Sequence, residues 1–338
     1  MVAALAAAGL LSWGAVPASA ADEVTRVCRF FDDRFTEISG MTYSLRHADV
    51  IWLHNDSGGG PYIYAVDSTS CRTLARLTLD GVEARDIEAI AAGRDGKGRP
   101  VIWVADFGDN LDSWPEVHLY RIREPKVLVD QTVTPRRYRV TYRDRPHNAE
   151  TLLADPTSTR LWIVTKQLAH GRLYELPAHL SRTDLNVARP IEREGGLVTD
   201  GAVSPDGRRY VLRDYVNASV FDGTPPGVLT EMISLPVQPQ GEAVTWAPDG
   251  TALLVASERD NRLFRIEVSA SDTNPTVADS QPPPGSASPS SSADESAPTS
   301  QPTGGRSEMT VAVVTVAGVL LAGLVVAALL IAGARRRR

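Results

Sequence analysis

Ser39-Gly40-Met41-Thr42, Ile87-Glu88-Ala89-Ile90, Ala149-Glu150-Thr151-Leu152, Asp200-Gly201-Ala202-Val203 and Gly241-Glu242-Ala243-Val244 are five versions of one phrase. Each opens on or just after a polar residue or a carboxylate and runs into apolar residues that begin a strand. Three of the five carry Glu at one place, namely Glu88, Glu150 and Glu242, while Gly40 and Gly201 stand there in the first and fourth. A unit recurring at roughly 40–60 residues predicts an array of like supersecondary elements, in this case a β-propeller.

Working outward from the phrases, the segments between turns are short and rich in Val, Ile, Leu, Tyr and Trp. Asp95-Gly96, Asp206-Gly207 and Asp249-Gly250 punctuate them, and no long stretch has helical periodicity. The pattern predicts an all-β fold of evenly spaced strands. Strands are expected at 38–45, 50–54, 61–67 and 72–79; at 87–92, 100–106, 117–123 and 136–143; at 149–154, 160–166, 172–177 and 187–193; at 198–204, 208–214, 217–222 and 228–234; and at 241–247, 251–257 and 262–267. That is a five-bladed propeller whose last blade lacks its outer strand. Val24–Phe31 is a spare strand ahead of the first blade and is expected to complete the last one, removing an exposed edge. A sixth, irregular blade in the long interval between the second and third repeats is the rival layout.

Only Cys28 and Cys71 are present. Two cysteines in an exported domain most often form one disulfide. Here it would staple the seam of the ring, with two buried thiols as the alternative.

The turns Ser204-Pro205-Asp206-Gly207 and Ala247-Pro248-Asp249-Gly250 resemble the Pro-Asp-Gly turns of YVTN, TolB and WD40-like propellers. His54-Asn55-Asp56-Ser57-Gly58-Gly59, Arg85-Asp86-Ile87-Glu88 and Asp106-Phe107-Gly108-Asp109-Asn110 resemble secreted bacterial propeller proteins, and faintly the SdiA-regulated and esterase-like phytase propellers. The resemblance implies a propeller and transfers no catalytic residue. Fold alone settles no function.

The ends of the chain carry address signals. Residues 1–20 hold an apolar run ending in Ala18-Ser19-Ala20, the pattern of a cleaved signal peptide. Residues 22–268 form the expected ectodomain. Residues 269–307, built of Ser, Pro, Thr, Ala and Gly, bury too little apolar surface to fold and read as a disordered stalk. Residues 309–334 are uncharged and long enough for a transmembrane helix, followed at 335–338 by a four-arginine basic stub expected in the cytoplasm. The expected product is a single-pass cell-membrane protein with an extracellular propeller. A formal charge of −6, more negative still without the terminal arginines, argues against a nucleic-acid partner.

Propeller geometry then orders the polar residues. Starts of the inner strands share a rim with the loops that join the second and third strand of each blade. Asp86, Glu88, Glu150, Asp200 and Glu242 are therefore expected beside His54, Asn55, Asp56 and the Asp106–Asn110 loop. Three solutions to their mutual repulsion stay open: Ca²⁺ held by Asp86, Glu88, Asp106, Glu150 and Glu242; pairing with Lys166, Arg213 or Arg259; or a protonated carboxyl suited to general-acid work. Asp106–Asn110 suits either a cation loop or an ordinary Asp/Asn turn. His54 and Asp56 are candidate catalytic groups, although a lone His at a strand end is more often simply hydrogen-bonded. No Gly-x-Ser-x-Gly, His-Glu-x-x-His or P-loop motif occurs. The functional expectation is a Ca²⁺-associated module that binds an extracellular ligand or partner protein. The alternative is a Ca²⁺-assisted hydrolase of phosphoesters or glycans.

Overall fold

The computed structural model describes residues 24–56, 60–168, 171–193 and 196–269. The expected signal peptide, the stalk beyond Ser269, the membrane helix and the basic stub lie outside the described residues, as do Ser57, Gly58 and Gly59. No helix among the described residues is long and apolar enough to cross a membrane.

The described chain is all-β, with 21 strands and no helix. In chain order they are β1 (Val24–Arg29), β2 (Ile38–Tyr43), β3 (Val50–Asn55), β4 (Tyr62–Asp67), β5 (Thr73–Leu79), β6 (Ile87–Arg94) and β7 (Pro100–Asp106). Then come β8 (Val117–Arg123), β9 (Gln131–Val133), β10 (Arg136–Tyr142), β11 (Ala149–Ala154), β12 (Leu161–Thr165), β13 (Arg172–Glu175) and β14 (Asn186–Arg193). The last are β15 (Asp200–Val203), β16 (Arg209–Arg213), β17 (Asn217–Asp222), β18 (Val228–Ser234), β19 (Gln240–Trp246), β20 (Ala252–Glu258) and β21 (Asp260–Glu267). Each strand expected from the sequence is present within a few residues.

The sheets run β2-β3-β4-β5-β9, β15-β16-β17-β18 and β1-β21-β20-β19, with one larger sheet ordered β11-β12-β13-β14-β10-β8-β7-β6. The larger sheet arises because β10 pairs in parallel with β14 through Val140–Tyr142 against Asn186–Ala188. Asn186 reinforces that seam, donating from Nδ2 to the Arg139 carbonyl at 2.9 Å. β9, which the sequence pattern does not reveal, adds in parallel to β5. The interval between the second and third repeats thus extends existing sheet edges.

The first strands of the meanders pack on one another in turn: β2 on β6, β6 on β11, β11 on β15, β15 on β19, and β19 back on β2. The arrangement is β-propeller-like. Side chains alternate across each strand, so every sheet buries both faces. In β7, Val101, Trp103 and Ala105 join the core shared with β11–β13. Ile102 and Val104 join the core shared with β3–β5. This two-sided burial is why the strands read as near-continuous apolar runs.

β1 pairs antiparallel with β21, as its sequence position suggested. The Cys28–Cys71 disulfide then links this strand to the β4–β5 turn of the sheet beside it. On the side of the β-turns that follow the inner strands, Ser204-Pro205-Asp206-Gly207 closes through Gly207 N–H donating to the Ser204 carbonyl at 2.9 Å. Gly207 adopts φ 73°, a conformation open to glycine at little cost.

Candidate functional site

A backbone irregularity explains the repeated Glu. β6 pairs Ile87 with Asp106 and Ala89 with Ala105, leaving Glu88 as the extra residue. β11 pairs Ala149 with Thr165 and Thr151 with Val164, so Glu150 is extra in the same way. β19 carries one extra residue between Gln240 and Ala243, where Glu242 lies. β2 does so at Ser39, between Ile38 and Gly40. A β-bulge bends the strand and re-aims one side chain. Here it recurs at the start of four inner strands and gathers their polar side chains at one rim. The position equivalent to Glu88 in the first repeat is therefore Ser39, one residue before the Gly40 that the sequence alignment placed there. β15 has no bulge, and Asp200 pairs directly opposite Arg213.

Two groups of carboxylates form at this rim. In the first, Asp56, Asp86 and Glu88 each contribute an oxygen lying within 4.8 Å of the others. Ser39 Oγ donates to Glu88 Oε2 at 3.2 Å, and Asn110 Nδ2 donates to Asp86 Oδ2 at 3.0 Å. Neither Asp86 nor Glu88 has an ion-pair partner among the described residues. Burial, then the neighbouring Asp56 charge, pushes the Asp86 carboxyl up to about 7. Burial, then Glu150 and Asp56, holds Glu88 well above the usual range. Gly108 lets the β7–β8 loop press against them. A Cβ there would lie 2.7 Å from carbons of both Asp86 and Glu88.

Lys166 organises the second group. Its ammonium lies 3.0 Å from Glu150 Oε1 and 3.6 Å from Glu242 Oε1. Burial opposes its charge, but Glu150, Tyr215 and Glu242 hold it well above the ordinary lysine range. Glu242 also accepts from Tyr215 OH at 3.3 Å and from Gln240 Nε2 at 3.2 Å. Burial pushes Glu150 up to about 7 despite Lys166. Glu258 rises to about 9 through burial and its contact with Glu242. Lys166 thus pairs with Glu150 and Glu242 at a rim that also holds Asp86, Glu88 and Glu258.

The remaining expected site residues sit elsewhere in the network. Asp106 is fully buried and accepts from the Asp86 amide at 2.8 Å and from Arg85 Nε at 3.1 Å. It holds the strand entry in place, and its carboxylate is outside the three-oxygen group. In the same loop, Asp109 accepts from the amides of Ser113 and Trp114, each at 2.5 Å. That is the turn chemistry of the two possibilities. His54 is fully buried, with Nδ1 against the Asn55 carbonyl at 3.0 Å. Burial lowers it to about 4, so the ring is neutral at physiological pH. Its Nε2 would lie 2.6 Å from a Cβ on Gly40, which is why that position is glycine. Asp200 accepts from the Val244 amide at 2.7 Å, and burial raises it well above its usual range. Arg213 directs its guanidinium to the carbonyls of Ala243 and Ala256 at 2.8 and 3.1 Å. Of the three expected cations, Lys166 makes ion pairs with rim carboxylates, Arg213 acts on Asp200 and Glu242 through its charge without an ion pair, and Arg259 makes no ion pair among the described residues.

Farther along the inner strands, a cavity lined by Thr42, Tyr43, Ala91, Ala92, Gly201 and Ala202 holds about 10 Å³. That is room for roughly one water. Lys166 and Arg213 were visible in the sequence as possible partners of the rim carboxylates. Tyr215 and Gln240 were not, because an uncharged side chain gives no charge signal that marks it as a partner of a carboxylate.

No protein-family model matches the sequence, and no curated protein matches it. Among solved structures, Raptor from Chaetomium thermophilum aligns with 72% of this chain at 12% identity and a TM-score of 0.39. The chain spans 29% of that structure's length. At this level the likeness carries no argument about function, and the propeller-like architecture rests on the sheets themselves.

Proposed function

We propose that this chain is a cell-surface-anchored, five-bladed β-propeller that binds an extracellular ligand or partner protein at its carboxylate rim, with Ca²⁺ held there. The closed succession of β2, β6, β11, β15 and β19 supports the blade count. The disulfide supports an oxidising compartment. The uncharged run at 309–334 and the arginines after it support the anchor and the orientation.

The observation that carries the cation is the group formed by Asp56, Asp86 and Glu88, whose oxygens converge within 4.8 Å. A hard cation removes the repulsion and takes oxygen ligands readily. Ca²⁺ accepts six to eight oxygens in flexible geometry, which suits side chains arriving from different loops. Asp56, Asp86 and Glu88 would hold such an ion through three oxygens, fewer than Ca²⁺ takes, so a carboxylate or hydroxyl of a partner could add to them.

The direct test is thermal unfolding of the full-length, detergent-solubilised protein in Ca²⁺ and in chelator, beside an Asp86→Asn/Glu88→Gln variant. Ca²⁺ raises the parent's Tm and leaves the variant's unchanged. An equal Tm for the parent in both conditions would sink the reading.

A second reading draws on Asp86 and Glu150, both near neutrality. A carboxyl poised there can act as a general acid, as a Ca²⁺-assisted hydrolase of phosphoesters or glycans requires. Turnover in a phosphatase and glycosidase panel, lost in Glu150→Gln, distinguishes it from binding alone.

A further inference from the structure

At the far end of β6 the charge reverses. Glu88 lies at the start of this strand and Arg94 at its end, roughly 20 Å away at the rise of an extended chain. There a cleft of about 650 Å³ opens between the β6–β7 and β11–β12 turns. It falls within the size range of small-molecule sites.

The walls of this cleft are basic in a chain of net charge −6. Arg94, Arg121, Arg136, Arg182 and His179 line it. The only carboxylate lining it is Asp95, which is already engaged. Asp95 Oδ1 accepts from the amides of Lys97 and Arg99 at 2.9 and 3.1 Å, and its Oδ2 accepts from Arg99 Nε at 2.8 Å. Arg94 is also committed, donating to the carbonyls of Pro156 and Gly98 at 2.9 and 3.0 Å. That bond to Pro156 ties the two turns together across the cleft.

Arg121 and Arg136 are the informative pair. They are direct cross-strand partners on β8 and β10, so their side chains leave the same face together. Like charges placed opposite one another disfavour the sheet. Neither Arg121, Arg136 nor Arg182 has a carboxylate partner among the described residues. Arg121 lies over the rings of Trp103 and Tyr138, 5.3 Å from each centroid. Those contacts seat the Arg121 guanidinium against two aromatic side chains that line the cleft. Arg121 is thus held on the cleft wall, Arg136 stands exposed opposite it on the same face, and an oxyanion between them would offset their like charges; guanidinium forks match carboxylate and phosphate bidentately.

We propose that this cleft is a second binding site, for a small organic anion carrying two or more carboxylate or phosphate groups, held chiefly by Arg121 and Arg136. It is independent of the carboxylate rim at the other end of the same strand.

The test uses the full-length, detergent-solubilised protein in chelator throughout, so that loss of a rim cation cannot imitate binding. Inorganic pyrophosphate and citrate are titrated by calorimetry against chloride at matched ionic strength. At least one binds with Kd below about 1 mM and raises Tm, and whichever binds tighter names the class. Arg136→Gln weakens that binding by about tenfold or more, and its own Tm without anion is no lower than the parent's, because one member of the repulsive pair is gone. The Ca²⁺ response of the rim is unchanged in the same variant. If neither anion binds better than chloride, or if Arg136→Gln binds as the parent does, the proposal is overturned.

Discussion

Two aspartates flank β6, and they behave in opposite ways. Asp86 precedes the strand and Asp95 follows it. Asp86 is pushed up to about 7 by burial and by Asp56 beside it. Asp95 is held far below the usual range, first by its hydrogen bonds to the Arg99 side chain. The contrast extends to the rest of each end. Asp67, Asp206 and Asp249 sit in turns like that of Asp95 and are likewise lowered. Glu88, Glu150 and Glu258 share the rim with Asp86 and are all raised. A turn carboxylate is surrounded by local N–H donors and gains from its charge. A rim carboxylate is surrounded by other carboxylates and low-dielectric walls, and its charge costs free energy. The face that has to be neutralised by something else is the face where a ligand is useful.

The largest consequence is in pH. An acid with a higher pKa folded than unfolded binds more protons in the native state, so stability falls as pH rises between the two values. For Glu150 the window runs from the ordinary 4.5 up to about 7. Because Glu150 titrates together with neighbouring carboxylates, the loss above the window belongs to the cluster and is on the order of a few kcal/mol. In chelator, Tm is therefore expected to fall from pH 5 to pH 8, and Ca²⁺ is expected to flatten that fall by discharging the neighbouring carboxylates. A flat profile in chelator, measured by thermal unfolding, would break the comparison at its rim end.

A smaller effect separates two glycines. At Gly108 a new Cβ meets Asp86 and Glu88 atoms at 2.7 Å, whereas at Gly96, in the Asp95 turn, it meets nothing within 4 Å. Gly108→Ala is expected to cost about 1–3 kcal/mol by overpacking and to weaken the Ca²⁺ response. Gly96→Ala is expected to be neutral, or stabilising by up to about 1 kcal/mol through the unfolded chain. Denaturant unfolding of the two variants checks this, and equal costs would show that the rim is no more crowded than the turn.

The turn end of the molecule was largely legible in the sequence, because its interactions are local. Ser204-Pro205-Asp206-Gly207 contains its own donors, acceptor and left-handed glycine. The rim was legible only by repetition. Glu88, Glu150 and Glu242 stood out as a phrase, but the bulge that turns them inward is a property of pairing between strands. For that reason the equivalence of Ser39 with Glu88 was missed by one residue, and Gly40 was read as a gap when its role is to make room for His54. Asp106 looked like a rim carboxylate and is instead consumed by Arg85 and the Asp86 amide, a contact spanning two strands. β9 escaped notice because three residues carry no periodicity. The Arg121–Arg136 pair was invisible for the same reason as the bulges: the two residues meet only through the register of β8 on β10.

The smallest prediction tests the turn end of the comparison. Asp67 Oδ1 accepts from the amides of Thr69 and Ser70 at 3.0 and 2.8 Å and from their hydroxyls at 2.7 and 2.9 Å. Its pKa drops from 3.8 to about 2, chiefly through the hydrogen bond from Thr69. An acid lowered in this way stabilises the fold above its unfolded pKa, and that stabilisation is lost as pH falls through the folded value. Because the group is partly exposed, solvent screening discounts its share, and Asp67→Ala is expected to cost only about 0.5–1.5 kcal/mol at pH 7. The difference from the parent should narrow between pH 4 and pH 2, the opposite direction from the pH dependence that Glu150 produces at the rim. If the gap instead stays constant down to pH 2 in acid-unfolding curves, then the carboxylate charge is not what holds this turn. The distinction between the two ends would then rest on crowding at the rim alone.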